Sequence, residues 1–219
     1  MFSINSRKLR LAILGVIIAG IAVGQTISVF RAAALADSLQ QPASQPGEVV
    51  QQTIHQAIAL IRDDSLPERQ RRRELIALVQ GRFDFSEMAR SALGRHWKTL
   101  SDDQRQQFVT VFIAFLEDAY IGKVENYAGQ PIQFANETQL DSDDVEVATN
   151  ILQSQGDPVQ VNYLMRQEGG EWKVYDVTVD SISIIANYRN QFNRVINDKG
   201  FPALMSAMRE KQKHLEATI

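Results

Sequence analysis

The side chains best suited to acid–base chemistry in this chain are Asp176 and Tyr163, which are predicted to lie on neighbouring strands. Asp176 stands in the middle of a predicted strand, between Tyr175 and Val177. A buried carboxylate beside a tyrosine hydroxyl can abstract and return a proton, as in a small-molecule isomerase or hydrolase. The alternative is that Asp176 anchors a backbone or arginine contact at the sheet. We favour this alternative because no second catalytic group is spaced to assist.

The three histidines show no metal-ligand spacing. His96 could be a general base or a ligand, but beside Trp97 at a predicted helix junction it is more typical of a structural hydrogen-bonding residue. His55 lies on a predicted helix and His214 in the C-terminal tail. The sequence has no cysteine, no glycine-rich phosphate loop and no Gly-x-Ser-x-Gly motif. We therefore predict that the protein is not an enzyme and needs no metal or other cofactor.

The elements that position these residues can be read from hydrophobic periodicity. Before residue 130 the apolar residues recur at helical spacing, which predicts four helices over 50–61, 67–79, 84–94 and 101–128. Gly81 is predicted to end the second helix, and the pairs Asp84–Glu87 and Ser101–Gln104 to form capping boxes. On the fourth helix, three phenylalanines share one face and predict an extended apolar wall.

From Pro131 the period changes from about 3.6 residues to 2. Short turn signals separate the alternating segments, so four strands are expected to form an antiparallel meander. The last of them, 171–179, has bulky residues on both faces, which predicts a central strand covered on both sides. Asp180 and Ser181 are then expected to cap a helix with an apolar stripe from Ile182 to Ile196. A last amphipathic helix is predicted over 201–213.

The N-terminus resembles a secretory signal. A basic region precedes an apolar segment, and Ala34-Leu35-Ala36 would be cut before Asp37. The alternative is an uncut inner-membrane anchor over 11–30, which is just long enough to span a bilayer. Either interpretation places the rest of the chain in the periplasm. The predicted organisation is a signal segment 1–36, a linker 37–46, an α+β domain 47–213 and a tail 214–219.

Export changes the charge balance. Segment 1–36 contains four of the 23 basic residues and no acidic ones, so 19 basic residues remain against 26 acidic residues, a net charge of −7. Nucleic acid is therefore excluded as a partner. General adhesion to anionic lipid is also disfavoured, so any lipid contact should be apolar or specific.

Several separated motifs carry a family likeness across residues 48–210. They are FDFSEMARSALGRHW (83–97), SDDQRQQF (101–108), EWKVYDVTVDSIS (171–183) and ANYRNQF (186–192). In this order they resemble the MlaC family of periplasmic phospholipid carriers, also called the toluene-tolerance auxiliary family. The resemblance implies a helical layer wrapped on a four-stranded twisted antiparallel sheet, related to the NTF2-like fold, with a deep apolar cavity between the layers.

The same resemblance implies a function. Members of the family bind the acyl tails of a phospholipid as cargo and leave the headgroup at the cavity mouth. They shuttle lipid between an outer-membrane lipoprotein complex and the substrate-binding ring of an inner-membrane ABC transporter. A branch of the family is associated with hopanoid export, so a hopanoid or other terpenoid lipid is the alternative cargo. An exported adaptor protein with a filled core remains a further alternative.

The candidate lipid-binding residues come from the apolar faces that these elements present. Each is also an ordinary candidate for the core, because a two-layer fold needs such faces. Tyr188, Arg189 and Phe192 combine a polar-tipped ring, a guanidinium and an apolar ring within about one turn, and are the candidates for the mouth. The full set is Phe108, Phe112, Phe115, Tyr120, Val145, Val147, Val161, Tyr163, Val174, Ile185, Tyr188, Arg189 and Phe192.

Overall fold

The structure, a computed structural model, describes residues 45–125, 127 and 129–216, without the side chains of Lys123 and residues 212–216. The predicted signal or anchor segment and most of the predicted linker lie outside this part of the chain. The first described helix begins at Pro46, where proline is compatible with the unbonded first turn. None of the helices in the described part is long and apolar enough to cross a membrane.

Six α-helices and five strands make up the described fold. The helices are α1 (Pro46–Ile61), α2 (Glu68–Arg82), α3 (Phe85–Leu93), α4 (Asp102–Glu125), α5 (Ile184–Lys199) and α6 (Phe201–Glu216), with a 3₁₀ helix at Gly94–Thr99. The strands are β1 (Ile132–Gln139), β2 (Asp144–Ile151), β3 (Val159–Glu168), β4 (Glu171–Val179) and β5 (Ile182–Ser183). Helices and sheet share one hydrophobic core, which confirms the predicted α+β class.

The sheet is the predicted antiparallel meander, in the order β1-β2-β3-β4-β5. The fifth strand was not predicted, because Asp180 and Ser181 were interpreted as helix caps. They instead form a tight turn with φ of 46° and 66°, a conformation that aspartate tolerates better than most residues. Ile182 is consequently exposed on β5, and the N-cap of α5 is Ser183, whose hydroxyl accepts from the Ala186 N–H at 2.8 Å.

Strand β4 is not the central strand that its two apolar faces predicted. It pairs along its length only with β3, and its other edge meets β5 and a bridge to Phe83. A register shift opposite Leu164 and Met165 inserts Tyr175 as an extra residue. Because of this bulge, Val174 and Val177 are both buried although they are three positions apart. The bulky residues predicted to cover both faces of β4 therefore reflect a bulge in the strand, not burial of both faces.

One of the two predicted capping boxes forms completely, and the second helix ends later than predicted. The Ser101–Gln104 box forms in both directions, with bonds of 3.0 and 3.3 Å. Asp84 accepts from the Glu87 N–H at 2.8 Å, but the Asp84 N–H donates to Val174 O, so that box is only half made. Gly81 does not end α2, which continues to Arg82. A Cβ added at Gly81 would meet no atom within 4 Å, so packing does not require a glycine there.

Candidate functional site

An apolar cavity lies between α2, α3, α4 and the end of β4, where the helical layer covers the sheet. Its volume is about 90 Å³. Among its lining residues, only Glu117 and Tyr120 have polar side-chain groups. We call it the inner cavity; its lining residues are Ile76, Val79, Phe83, Phe85, Met88, Leu116, Glu117, Tyr120, Ile121, Val124, Val177 and Ile184. Such a surface can hold hydrocarbon and offers little to a polar ligand.

Helix α2 is the most weakly attached wall of the inner cavity. Leu75 is its one fully buried residue, while Ile76, Leu78 and Val79 pack half-buried against the core. Two polar contacts hold it to α4: Arg72 Nη1 donates to Glu125 Oε2 at 3.1 Å, and Gln80 Nε2 donates to Glu117 Oε1 at 2.6 Å. The Gln80–Glu117 contact is exposed and the Arg72–Glu125 contact is half-buried, and polar contacts of this kind contribute little stability.

Partial burial affects the Glu117 and Glu125 carboxylates at the contact between α2 and α4, which we call the seam. Burial raises the pKa of Glu117, opposed by its hydrogen bond from Gln80. Burial likewise raises the pKa of Glu125, opposed by the nearby Arg72 charge. The seam therefore places two partly desolvated acids where the inner cavity meets the surface.

Tyr120 links the inner cavity to the aromatic core behind it. Its hydroxyl lies 3.2 Å from that of Tyr188, and one donates to the other. Burial raises the pKa of Tyr188 to about 12 and raises that of Tyr120 as well, so both phenols stay neutral. The pair satisfies two hydroxyls that would otherwise be costly to bury.

The other predicted aromatic residues form a filled core between α4 and α5. The Phe192 ring lies 6.0 to 6.3 Å from the rings of Phe108, Phe112 and Phe115, and 5.6 Å from that of Tyr188. These five side chains, which we call the aromatic cluster, are at most 2% exposed. Ile185 is buried on the same helix. None of these six residues lines the inner cavity.

The predicted sheet residues are all buried, but only two border a cavity. Val145, Val147 and Val161 lie in the main core. Tyr163 and Val174 line a second apolar cavity of about 20 Å³, the small cavity, between α1, α2 and strands β3 and β4. Val79 and Phe83 line both this cavity and the inner cavity, so their side chains separate the two.

Arg189, predicted at a cavity mouth, is exposed on α5 and already has a backbone partner. Its Nε donates to Ser91 O at 2.7 Å. Its side chain lies against Gly94, where an added Cβ would come within 3.3 Å of Arg189 Cδ. The arginine thus braces α5 against the end of α3, and its neighbours Tyr188 and Phe192 are buried.

Asp176 uses its carboxylate to hold the start of α5. Oδ1 accepts from the Val177 N–H at 2.7 Å and the Ile185 N–H at 3.2 Å, and Oδ2 accepts from the Ser183 hydroxyl at 2.5 Å. Burial raises the pKa of Asp176, and these hydrogen bonds oppose that shift. This is the backbone anchor favoured by sequence. Within the described residues no cluster of three His, Asp or Glu side chains could hold a metal ion.

We expect Asp176→Ala to lower the free energy of unfolding by about 1 to 3 kcal/mol, because it leaves buried donors at the start of α5 without an acceptor. Urea denaturation followed by circular dichroism measures the change. Asp157→Ala, in the exposed β2–β3 loop, is the matched control and should change stability by less than about 0.5 kcal/mol. Equal stability of the two variants would contradict the anchoring role.

The sequence did contain a signal for the cavity residues that were missed. Helix α4 is apolar beyond its phenylalanines, since Leu116, Ile121 and Val124 widen its apolar surface. Helix α2 likewise carries the apolar run 75–79 after a charged segment. Such residues indicate further apolar surfaces, but only the fold shows that these surfaces face one another across a gap.

Comparison with known proteins matches this chain to a family model and to individual proteins. The family model described as "MlaC protein" matches residues 51–210. The intermembrane phospholipid transport system binding protein MlaC of Haemophilus influenzae is 30% identical over 122 residues, which is 54% of this chain and 57% of that protein. A phospholipid-binding protein of Ralstonia solanacearum, solved in complex with a phospholipid, matches with a TM-score of 0.71 and 25% identity. That match covers 79% of this chain and 99% of the solved chain.

Proposed function

This chain belongs to the MlaC protein family, and on that premise we propose that it is a carrier that binds a phospholipid by its acyl chains and moves it between two membranes. The observation that carries the proposal is the inner cavity, whose apolar walls lie between the helical layer and the sheet. The phospholipid-bound relative with the same fold supports the choice of cargo.

The cargo explains why a carrier needs such a cavity. A diacyl lipid has roughly 30 methylenes at about 0.8 kcal/mol each, so exposing both tails to water costs more than about 20 kcal/mol. A volume of about 90 Å³ is too small for two acyl chains. We infer that the cavity enlarges when lipid enters, and that α2 is the wall that moves, since Leu75 is its one fully buried residue and polar contacts join it to α4.

We propose that the protein works in the periplasm, between an outer-membrane lipoprotein complex and the substrate-binding ring of an inner-membrane ABC transporter. The name of the Haemophilus influenzae relative, an intermembrane transport protein, supports this location. Transfer to a partner requires the partner to favour the open state, because a ligand leaves only when its affinity differs between states. A wall with one fully buried residue, joined to α4 by two polar contacts, is well suited to such a partner-induced opening.

Native mass spectrometry tests the proposal. The protein is expressed from the full-length chain, purified from a bacterial periplasm without detergent, and its bound lipid is extracted. We expect an added mass matching a diacyl phospholipid. A pentacyclic triterpenoid would indicate the hopanoid cargo instead. A protein that is free of lipid, and stays so after incubation with liposomes, would overturn the carrier function.

A further inference from the structure

A separate groove of about 440 Å³, larger than the inner and small cavities, lies between α1 and strands β1 and β2. Its lining includes apolar groups, such as Ile54 and the 43% exposed Phe134, and polar groups, such as His55, Arg62 and Gln130. The inner and small cavities are almost wholly apolar, so this groove differs from them in chemistry.

Arg62 gives the groove its charge. It follows the last residue of α1, and its guanidinium reaches across to Gly129, where an added Cβ would lie 3.6 Å from Nη2. Among the described side chains no carboxylate forms an ion pair with Arg62. No acidic residue lines the groove, and His55 is its other ionisable base. A basic groove is notable in a chain whose exported part carries a net charge of −7.

Tyr127 and Gln130 form part of the groove wall opposite Arg62. The Tyr127 hydroxyl donates to the Gln130 carbonyl and fixes the two residues relative to one another. Gln130 Oε1 is buried, so it lies behind the groove surface. The Arg62 guanidinium is therefore the group that the groove offers to an anion.

The groove adjoins the apolar cavities in two places. Ile54 lines both the groove and the small cavity, and beside it Tyr163 lines the small cavity while Thr149 lines the groove. Near the end of α4, Val124 lines the inner cavity, and Tyr127, just after the helix, lines the groove. A single amphiphilic molecule could therefore have its tails in the apolar cavities and its polar end in the groove once these side chains move.

We propose that the groove binds the phosphate ester of the lipid headgroup, with Arg62 as the residue that contacts it. This inference rests on the carrier function proposed above. A guanidinium is planar, always charged and matched to phosphate oxygens, and its hydrogen bonds to an anion are stronger than neutral ones. Arg189, the arginine that sequence analysis favoured, already donates to a backbone carbonyl, whereas Arg62 is available.

The test compares Arg62→Gln and Arg62→Lys with the wild type, each loaded from vesicles of phosphatidylethanolamine and phosphatidylglycerol. We expect Arg62→Gln to release lipid to acceptor vesicles about tenfold faster, the effect of losing one or two charge-assisted hydrogen bonds. The ³¹P resonance of the bound lipid should also shift. Arg62→Lys should fall between the two proteins, since it keeps the charge and loses the planar fork.

Two further variants make the result specific. Arg69→Gln removes an exposed arginine on α2, outside the groove, and should match the wild type in release rate and ³¹P shift. Arg189→Gln should also leave the ³¹P shift unchanged. If Arg189→Gln shifts the resonance and Arg62→Gln does not, the headgroup lies elsewhere and the inference is overturned.

A last arm separates a lipid headgroup from free phosphate. Lipid-free protein is titrated with inorganic phosphate and with glycerol phosphate while chemical shifts near Gln130 are followed by NMR. Saturable, Arg62-dependent binding of inorganic phosphate, without any change in lipid release, would overturn the headgroup assignment. A wild type without lipid would refute the carrier function itself, whereas a loaded wild type that Arg62→Gln does not alter refutes only this inference.

Discussion

Cross-linking α2 to α4 should lower phospholipid uptake roughly hundredfold, because the apparent affinity of a carrier falls with the population of its open state. Gln80 and Glu117 are hydrogen bonded across the seam at 2.6 Å, so cysteines at these positions can be joined by a short bis-maleimide. The chain has no cysteine of its own, so labelling is confined to the introduced pair. Uptake is measured by transfer of a fluorescent phospholipid from donor liposomes.

The control is the same double variant treated with a monofunctional maleimide, which changes the same two side chains and leaves α2 free. It should take up lipid close to the wild-type rate. Uptake by the cross-linked protein at the rate of this control would show that another wall opens. The inner cavity would then have to enlarge by movement of α3 or of the end of β4.

Phe192→Ala should lower the free energy of unfolding by about 3 to 5 kcal/mol, the cost of removing a ring from a close-packed core. The Phe192 ring contacts four others of the aromatic cluster and lies outside the inner cavity. We therefore expect the lipid bound per folded molecule to stay unchanged. Thermal denaturation gives the first quantity and native mass spectrometry the second.

A reciprocal variant makes this separation testable. Ile76 lines the inner cavity from the half-buried face of α2, so Ile76→Trp should fill space that the acyl chains need. We expect it to reduce bound lipid while destabilising the fold by only about 1 to 3 kcal/mol. Loss of lipid in folded Phe192→Ala, with lipid retained in Ile76→Trp, would instead place the acyl chains at the aromatic cluster.

The sequence predicted the apolar surfaces of the helices well, but it did not predict which residues pack against them. Periodicity correctly identified Phe108, Phe112 and Phe115 as one side of a long helix. It did not indicate that Phe192 packs against these three rings. The inner cavity therefore lies beside Leu116 and Ile121 and not beside these phenylalanines. A cavity is the difference between two surfaces, so it depends on distances that a one-dimensional pattern does not contain.

The local errors have local physical causes. Asp180 and Ser181 suit both helix caps and tight turns, since each side chain can bond a nearby backbone group in either. Ile182 and Ser183 pair with β4 and form β5, and this pairing requires the turn at Asp180 and Ser181. The bulge at Tyr175 shifts the alternation of β4 by one residue, so a strand near the edge of the sheet was mistaken for a central one. Both outcomes depend on a partner strand.

The order of elements along the chain has a consequence for how this protein is made. Each strand pairs with the one before it, so the sheet can form hairpin by hairpin from local contacts. The aromatic cluster, in contrast, joins α4 to α5, and all five strands lie between these two helices in the sequence. A chain that emerges from its N-terminus therefore carries the phenylalanines of α4 uncovered until α5 follows. During that interval the nascent chain is exposed to aggregation.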